Sequence, residues 1–241
     1  MATSESYRKI LEKYKIFIDD LINEGESEKD IVREVVGNIA INVYDLSKSI
    51  LVLEENSQYA GLDTLMRLVF ERYVYIAYIL KDDSFRRANA YKLNYFFVQK
   101  KLLDNLLSSD KINGEESRLD DRNVVSYEEY FKTQFDSYEK EYNSLYPHKL
   151  NKFWYNYDDK TKNFYVLCEK LGLLEEYNSL FRVTSFEVHA TTGLKHFSYN
   201  RYAKDTQIEM TGYLDGIDSI VIPTLKKIMN VLNNYFVTEQ K

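Results

Sequence analysis

Apolar residues recur at steps of three and four positions along almost the whole chain, with polar residues between them, which is the period of an amphipathic α-helix. "SYRKILEKYKIFIDDLI" sets the pattern and stops near Asn23-Glu24-Gly25. "SEKDIVREVVGNIAINVYDLSKSILVLEE" resumes it, and Ser27 with Asp30 three residues on reads as an N-cap with an acidic partner. "GLDTLMRLVFERYVYIAYIL" is apolar on nearly all sides, so it predicts a central helix. Asp83 or Ser84 can cap the next one, "FRRANAYKLNYFFVQKKLLDNLL". Residues 108–125, "SSDKINGEESRLDDRNVV", are polar, lose the period and contain Gly114, so they predict an internal mobile loop. "SYEEYFKTQFDSYEKEYNSLY" then predicts a charged, exposed helix, and "HKLNKFWYNYDD" after Pro147 a second connection. Two helices follow in "TKNFYVLCEKLG" and "LLEEYNSLFRVTSFEVHA". In the last segment, 206–238, Leu214, Ile217, Val221, Leu225, Ile228, Leu232 and Tyr235 mark a long amphipathic helix, with Pro223 set to kink or reset it. No stretch alternates as a strand does. The pattern predicts an all-α fold, a single helical domain over residues 1–241 built as a bundle of about eight helices.

Composition agrees. The chain has two prolines and eight glycines in 241 residues, few for a fold that needs many turns. A net charge of −6 argues against a whole-chain basic field for gripping nucleic acid. The 22 tyrosines fit either a biased composition with buried rings or a surface that stacks bases. One cysteine, Cys168, excludes an internal disulfide framework and a cysteine-based zinc site, and its apolar neighbours predict a packing role. The longest apolar run near the middle, "VYIAYIL", is too short to span a bilayer, and "MATSESYRKI" has no apolar leader. A cytoplasmic protein without a membrane partner is expected.

Candidate chemistry concentrates in "FRVTSFEVHATTGLKHF", residues 181–197. In an α-helix Arg182 and His189, seven apart, lie within about 20° on one face and roughly 10 Å apart along the axis. Ser185 lies between them on that face, beside a stripe of Leu174, Tyr177, Phe181, Thr184 and Val188. Histidine can move a proton near neutral pH, and an arginine fork can hold a phosphate. Together they suit metal-independent RNA cleavage with the 2′-hydroxyl as nucleophile. Lys195, His196, Arg201 and Lys204 follow as candidate phosphate contacts, with Glu187 the one acidic residue between Arg182 and Lys204. The plainer alternative is that arginine and histidine at a core border satisfy local carboxylates or carbonyls. Arg67 and Glu71, one turn apart in an apolar helix, predict an internal ion pair; alternatively Glu71 or Arg72 lines a cleft beside His189. The residues around Trp154 suit a loop that caps a core, or a base-stacking surface. Asp158 and Asp159 are too few for a metal site, and no glycine-rich phosphate loop, H-E-x-x-H or G-x-S-x-G occurs, so no metal or cofactor is expected.

"FRVTSFEVHATTG" resembles the R-x4-6-H signature of the HEPN superfamily of helical proteins, many of them ribonucleases of phage defence, toxin–antitoxin and RNA-processing systems. Val183 stands where that superfamily prefers a polar residue, and the spacing is the longest the signature allows. Roughly residues 55 to 200 also resemble an uncharacterised bacterial helical family, through "MRLVFERYVYIAYIL", "RRANAYKLNYFFVQKKLL" and the element from Ser185 to His189. The resemblance implies Arg182 and His189 as catalytic residues, a cleft built by a homodimer, and a metal-independent endoribonuclease, toxin or phage-defence protein. The expected partners are RNA and a protein partner or antitoxin. The alternatives are a non-catalytic helical interaction or sensor module, and a small-molecule or nucleotide binder with a Tyr-rich pocket.

Overall fold

The structure, a computed structural model, describes residues 2–23, 30–58, 61–113, 121–146, 153–156, 160–181 and 217–238. Every regular element among them is helical: α1 (Ala2–Asn23), α2 (Ile31–Glu55), α3 (Leu62–Lys81), α4 (Ser84–Asn113), α5 (Asp121–Leu145), a 3₁₀ turn (Trp154–Asn156), α6 (Phe164–Leu171), α7 (Leu174–Glu176) and α8 (Ile222–Asn233). α7 runs directly into a π-helical turn, Tyr177–Phe181; α8 is preceded by one, Ile217–Val221, and followed by another, Asn234–Thr238. The chain is therefore all-α, with no strand among the described residues. Its helices group into two compact units: Met1–Ser84 with Tyr165–Lys241, and Phe85–Phe164.

In the first unit α1 and α2 pair antiparallel. α1 turns Tyr7, Leu11, Tyr14, Ile18 and Leu21 inward at helical spacing, and all five are buried. The two tyrosines bury their rings and still satisfy their hydroxyls on α2: Tyr7 donates to the Ser47 carbonyl at 2.7 Å, and Tyr14 to the Ala40 carbonyl at 3.3 Å. An unsatisfied hydroxyl there would cost about 1–3 kcal/mol, so these bonds also fix the register of the pair. The N-cap of α2 is Asp30 itself, which accepts from the Arg33 amide at 3.0 Å; Ser27, the cap that the sequence suggests, lies outside the described residues. By length and composition α2 could cross a membrane, but half of that stretch is buried in this packing.

Gly37 sits in the middle of α2, facing Ile22 of α1. A methyl group there would meet the Ile22 side chain at 3.5 Å, an ordinary contact. Because glycine costs a helix interior about 0.5–1 kcal/mol relative to alanine, Gly37→Ala should stabilise the protein by about that amount. Urea unfolding followed by circular dichroism measures it; a lower midpoint would show that α1 cannot accommodate the methyl group.

α3 is the central helix, as its sequence predicts. Gly61, at φ 87°, opens it from the left-handed region, where a side chain would be strained. Met66, Val69, Phe70, Val74, Ile76 and Ile79 are buried along it, between α2 and α8. At the other end of the chain, Ile217, Val221, Leu225, Ile228 and Leu232 are all fully buried. Pro223 falls in the first turn of α8, where its missing N–H matters least, and the π-helical turn before it resets the register. The row is thus covered within one chain, because α8 packs on both α1 and α3.

The second unit is an antiparallel hairpin of α4 and α5. Phe96 stacks on Tyr138 with ring centroids 4.8 Å apart, and Phe97 meets Phe135 at 6.1 Å. The Arg86 guanidinium lies 4.6 Å from the Tyr146 ring. Trp154 is buried and meets Tyr91 in a T-shaped arrangement with ring centroids 5.0 Å apart, which fits the reading of its segment as a cap over a core. Within the polar stretch 108–125, α4 continues through Asn113 and α5 begins at Asp121. Residues 108–113 and 121–125 of the expected loop are therefore helical, and residues 114–120 lie outside the described residues. Loss of apolar period there removes the amphipathic signal, whereas Ser, Asp, Lys and Arg remain compatible with helix.

Candidate functional site

Arg182, Ser185, Glu187, His189, Lys195, His196, Arg201 and Lys204 lie outside the described residues, as does His148. Of the expected site, the structure places Glu71 and Arg72 on α3, together with Arg67 one turn earlier and Phe181, the residue directly before Arg182.

The segment ending at Phe181 is positioned by Gly172. At φ 73° it ends α6, its amide bonds the Glu169 carbonyl at 3.0 Å, and the next amide bonds the Cys168 carbonyl at 2.8 Å, a C-cap that turns the chain into α7. The π-helical turn then widens the backbone. Sequence periodicity assumes 100° per residue through this segment, and that assumption fails over Tyr177–Phe181. The result is an aromatic column: Tyr165 meets Tyr177 edge-on at 5.4 Å, and Tyr177 stacks on Phe181 at 5.2 Å.

The Arg67 guanidinium lies over the Phe181 ring, 4.1 Å from its centroid, an arrangement worth about 0.5–2 kcal/mol. This is where the structure corrects the sequence. Arg67 and Glu71 have ion-pair spacing, but the carboxylate's ion pair is with Arg72, Nη1 to Oε2 at 3.8 Å. Arg67 still acts on Glu71 through its charge, ahead of Arg72, while its guanidinium lies over the ring. Its Nη1 is buried and has no hydrogen-bond partner among the described residues. Arg72 is held separately: its Nε donates to Asn42 Oδ1 at 2.9 Å, and its guanidinium stands 6.0 Å from the Tyr75 ring.

Burial pushes the Glu71 carboxyl above its ordinary value, and the charges of Arg67 and then Arg72 offset only part of that. A raised value means that the folded state holds the proton more tightly than the unfolded one. Stability from this group is present at low pH and falls as pH rises through the range above an ordinary carboxylate. An ionised Glu71 at neutral pH is thus held at a cost.

Cys168 is fully buried close by. Burial, then the carboxylates of Glu176 and Glu71, pushes its thiol up to about 12. Almost no thiolate exists at neutral pH, so Cys168 is packing material, as its neighbours in sequence predict. The native protein should leave a disulfide reagent such as DTNB unreacted and consume one equivalent once unfolded in guanidinium; fast labelling of the native protein would contradict this burial.

A second polar link escaped the sequence. Lys227 of α8 bonds Glu176 of α7 at 2.8 Å and lies 5.9 Å from the Tyr73 ring. Burial alone would raise Glu176, but the bond from Lys227 keeps it below its ordinary value. Partners so far apart in sequence carry no periodic signal.

A groove of about 260 Å³ between α1 and α2 is lined by Ile22, Asp30, Arg33, Glu34, Gly37, Asn38 and Ile41, none of them tyrosine. Four of the largest fully buried side chains are instead Tyr7, Tyr14, Tyr78 and Tyr142, so those tyrosines fill core.

Residues 33–206 match DUF5677, a family of unknown function. The chain belongs to that family. The DUF5677 match takes in α3 with Arg67, Glu71 and Arg72, and it also takes in the whole stretch from Arg182 to Lys204. Both halves of the candidate site are therefore inside the family's span, while α8 lies beyond it. No curated protein and no solved structure matches the chain.

Proposed function

We propose that this DUF5677 chain is a HEPN-like, metal-independent endoribonuclease of the toxin or phage-defence kind, with Arg182 and His189 as its catalytic pair. One observation supports the reading most: the Arg67 guanidinium rests on Phe181, so a cation meets the chain at the residue directly before the R-x6-H segment begins. Such a site needs cationic forks for a phosphodiester and groups that move protons. The 2′-oxygen would bond to phosphorus while the bond from phosphorus to the 5′-oxygen breaks. One proton leaves the 2′-hydroxyl and another reaches the 5′-oxygen; His189 serves one of these transfers. Lys195, His196, Arg201 and Lys204 would extend the phosphate contacts, and a second copy or an antitoxin would be the protein partner.

The test is purified protein with structured and unstructured RNA. Cleavage should persist in EDTA and leave 2′,3′-cyclic phosphate ends. Loss of cleavage in EDTA, or 3′-hydroxyl products, would sink this chemistry.

A second reading, a non-catalytic interaction module, has its own observation. Tyr95, Val98 and Leu102 lie on one face of α4 and are 51%, 49% and 54% exposed. Failure of the wild type to bind or cleave any RNA would favour that face as the working part of the molecule.

A further inference from the structure

We propose that Lys227 is a positioning residue: its bond to Glu176 fixes the π-helical turn Tyr177–Phe181, the last turn before Arg182 in the chain. The two ends of that turn are held differently. At its far end Leu180 and Phe181 are buried, and Phe181 lies beneath the Arg67 guanidinium. At its near end α7 has three residues, Leu174–Glu176, and buries none of them. Tyr177 meets Tyr165 edge-on at 5.4 Å, but a ring contact sets direction less sharply than a charged hydrogen bond does. That bond runs from Lys227 Nζ to Glu176 Oε1, 2.8 Å, and ties the near end to α8.

The other side of the tie is firm. Thr224, Leu225, Ile228 and Leu232 of α8 are buried on either side of Lys227, so its stem starts from packed core. Its ammonium also stands 5.9 Å from the ring of Tyr73, a buried residue of α3. The bond keeps Glu176 below its ordinary value and Lys227 above its own, so both stay charged around neutral pH. Glu175 adds a second carboxylate to the field at Lys227. A polar tie from a rigid helix to the start of a turn is what support of a functional segment requires.

A π-helical turn is wider than an α-helical one and is uncommon. Relaxing it to α-helix would shift the register across it by one residue, about 100° of rotation. A displacement of about 1 Å at a reacting group already costs about 10² in rate. The pair itself is 45% and 34% exposed, and a pair so exposed adds little to global stability. A large effect on turnover with a small effect on stability is therefore the signature of this role. That the turn serves a catalytic arginine rests on the ribonuclease reading; that Lys227 holds the turn rests on Glu176, Tyr73 and the turn itself.

The test uses the full chain and two readouts, amide hydrogen exchange by mass spectrometry and RNA cleavage kinetics. In Lys227→Met the amides of Tyr177–Phe181 should exchange about tenfold faster, with exchange in α3 and α8 unchanged and Tm lowered by no more than about 4 °C. Lys227→Arg should keep the protection, and the charge swap Lys227→Glu with Glu176→Lys should restore part of it. In cleavage, Lys227→Met should lower kcat about 10–100-fold with KM unchanged, and Lys227→Arg should retain most of it. Unchanged exchange at the turn in Lys227→Met, faster exchange throughout the chain, or no recovery in the swap would each overturn the proposal. Faster exchange at the turn with unchanged kcat would overturn the positioning role. No cleavage by wild type would count against the ribonuclease reading alone, and the exchange data would then decide whether Lys227 fixes the turn.

Discussion

His189→Ala should lower the rate of RNA cleavage by about 10²–10⁴-fold, the span that a positioned general acid or base contributes. The loss should fall mainly on kcat, because a proton in flight is a feature of the transition state and adds little to substrate binding. Arg182 has a different task. It would hold charge that grows on the phosphoryl oxygens, so Arg182→Ala should cost about 10²–10³-fold, as removal of one oxyanion donor does elsewhere. Arg182→Lys should not restore it, since a point ammonium cannot reproduce a bidentate fork. Circular dichroism of each variant serves as the folding control. Equal cleavage by wild type and His189→Ala would assign the activity to another site or a contaminant. If both single variants fall to the same floor and the double variant falls no further, the two residues act as a unit, which is the behaviour expected of a catalytic pair.

Much of the fold is legible in the sequence because one force dominates it. Burial of an apolar stripe at a 3.6-residue period identifies α1, α2, α3 and the α8 row directly, and each of those stripes is buried. The ends of α4 and α5 were less legible, because Ser108 to Asn113 and Asp121 to Val125 carry helix on propensity with few apolar positions to signal it. The π-helical turn at Tyr177–Phe181 gave no signal at all, since it changes the period itself. The candidate site was legible as residue types and not as contacts. Spacing names Arg67 and Glu71 as neighbours on α3, but the stacking of Arg67 on Phe181 brings in a residue that is close only once the chain has folded. The bond between Lys227 and Glu176 has the same character. Periodicity reports which face a residue is on; it is silent about which of two reachable partners wins.

Leu225→Ala should destabilise the protein by about 2–5 kcal/mol, the usual cost of emptying a fully buried leucine site. Leu225 has no exposed area, and its neighbours Val221, Ile228 and Leu232 have none either, so little of the cavity can be filled by solvent or by a side chain swinging in. Measured in urea, where ΔG falls by about 1–3 kcal/mol per molar, the midpoint should drop by about 1 M or more. Ile16→Ala is the contrast: Ile16 is equally apolar but 62% exposed, so its loss should stay within about 0.5 kcal/mol. The pair of variants also decides what covers the α8 row. Stability that depends on a second copy varies with protein concentration, because association stabilises by mass action. If α1 and α3 of the same chain cover the row, the Leu225→Ala loss stays constant across a wide range of concentration. A loss that changes with dilution would place Leu225 at a boundary between copies, and the packing of α8 inside one chain would have to be given up.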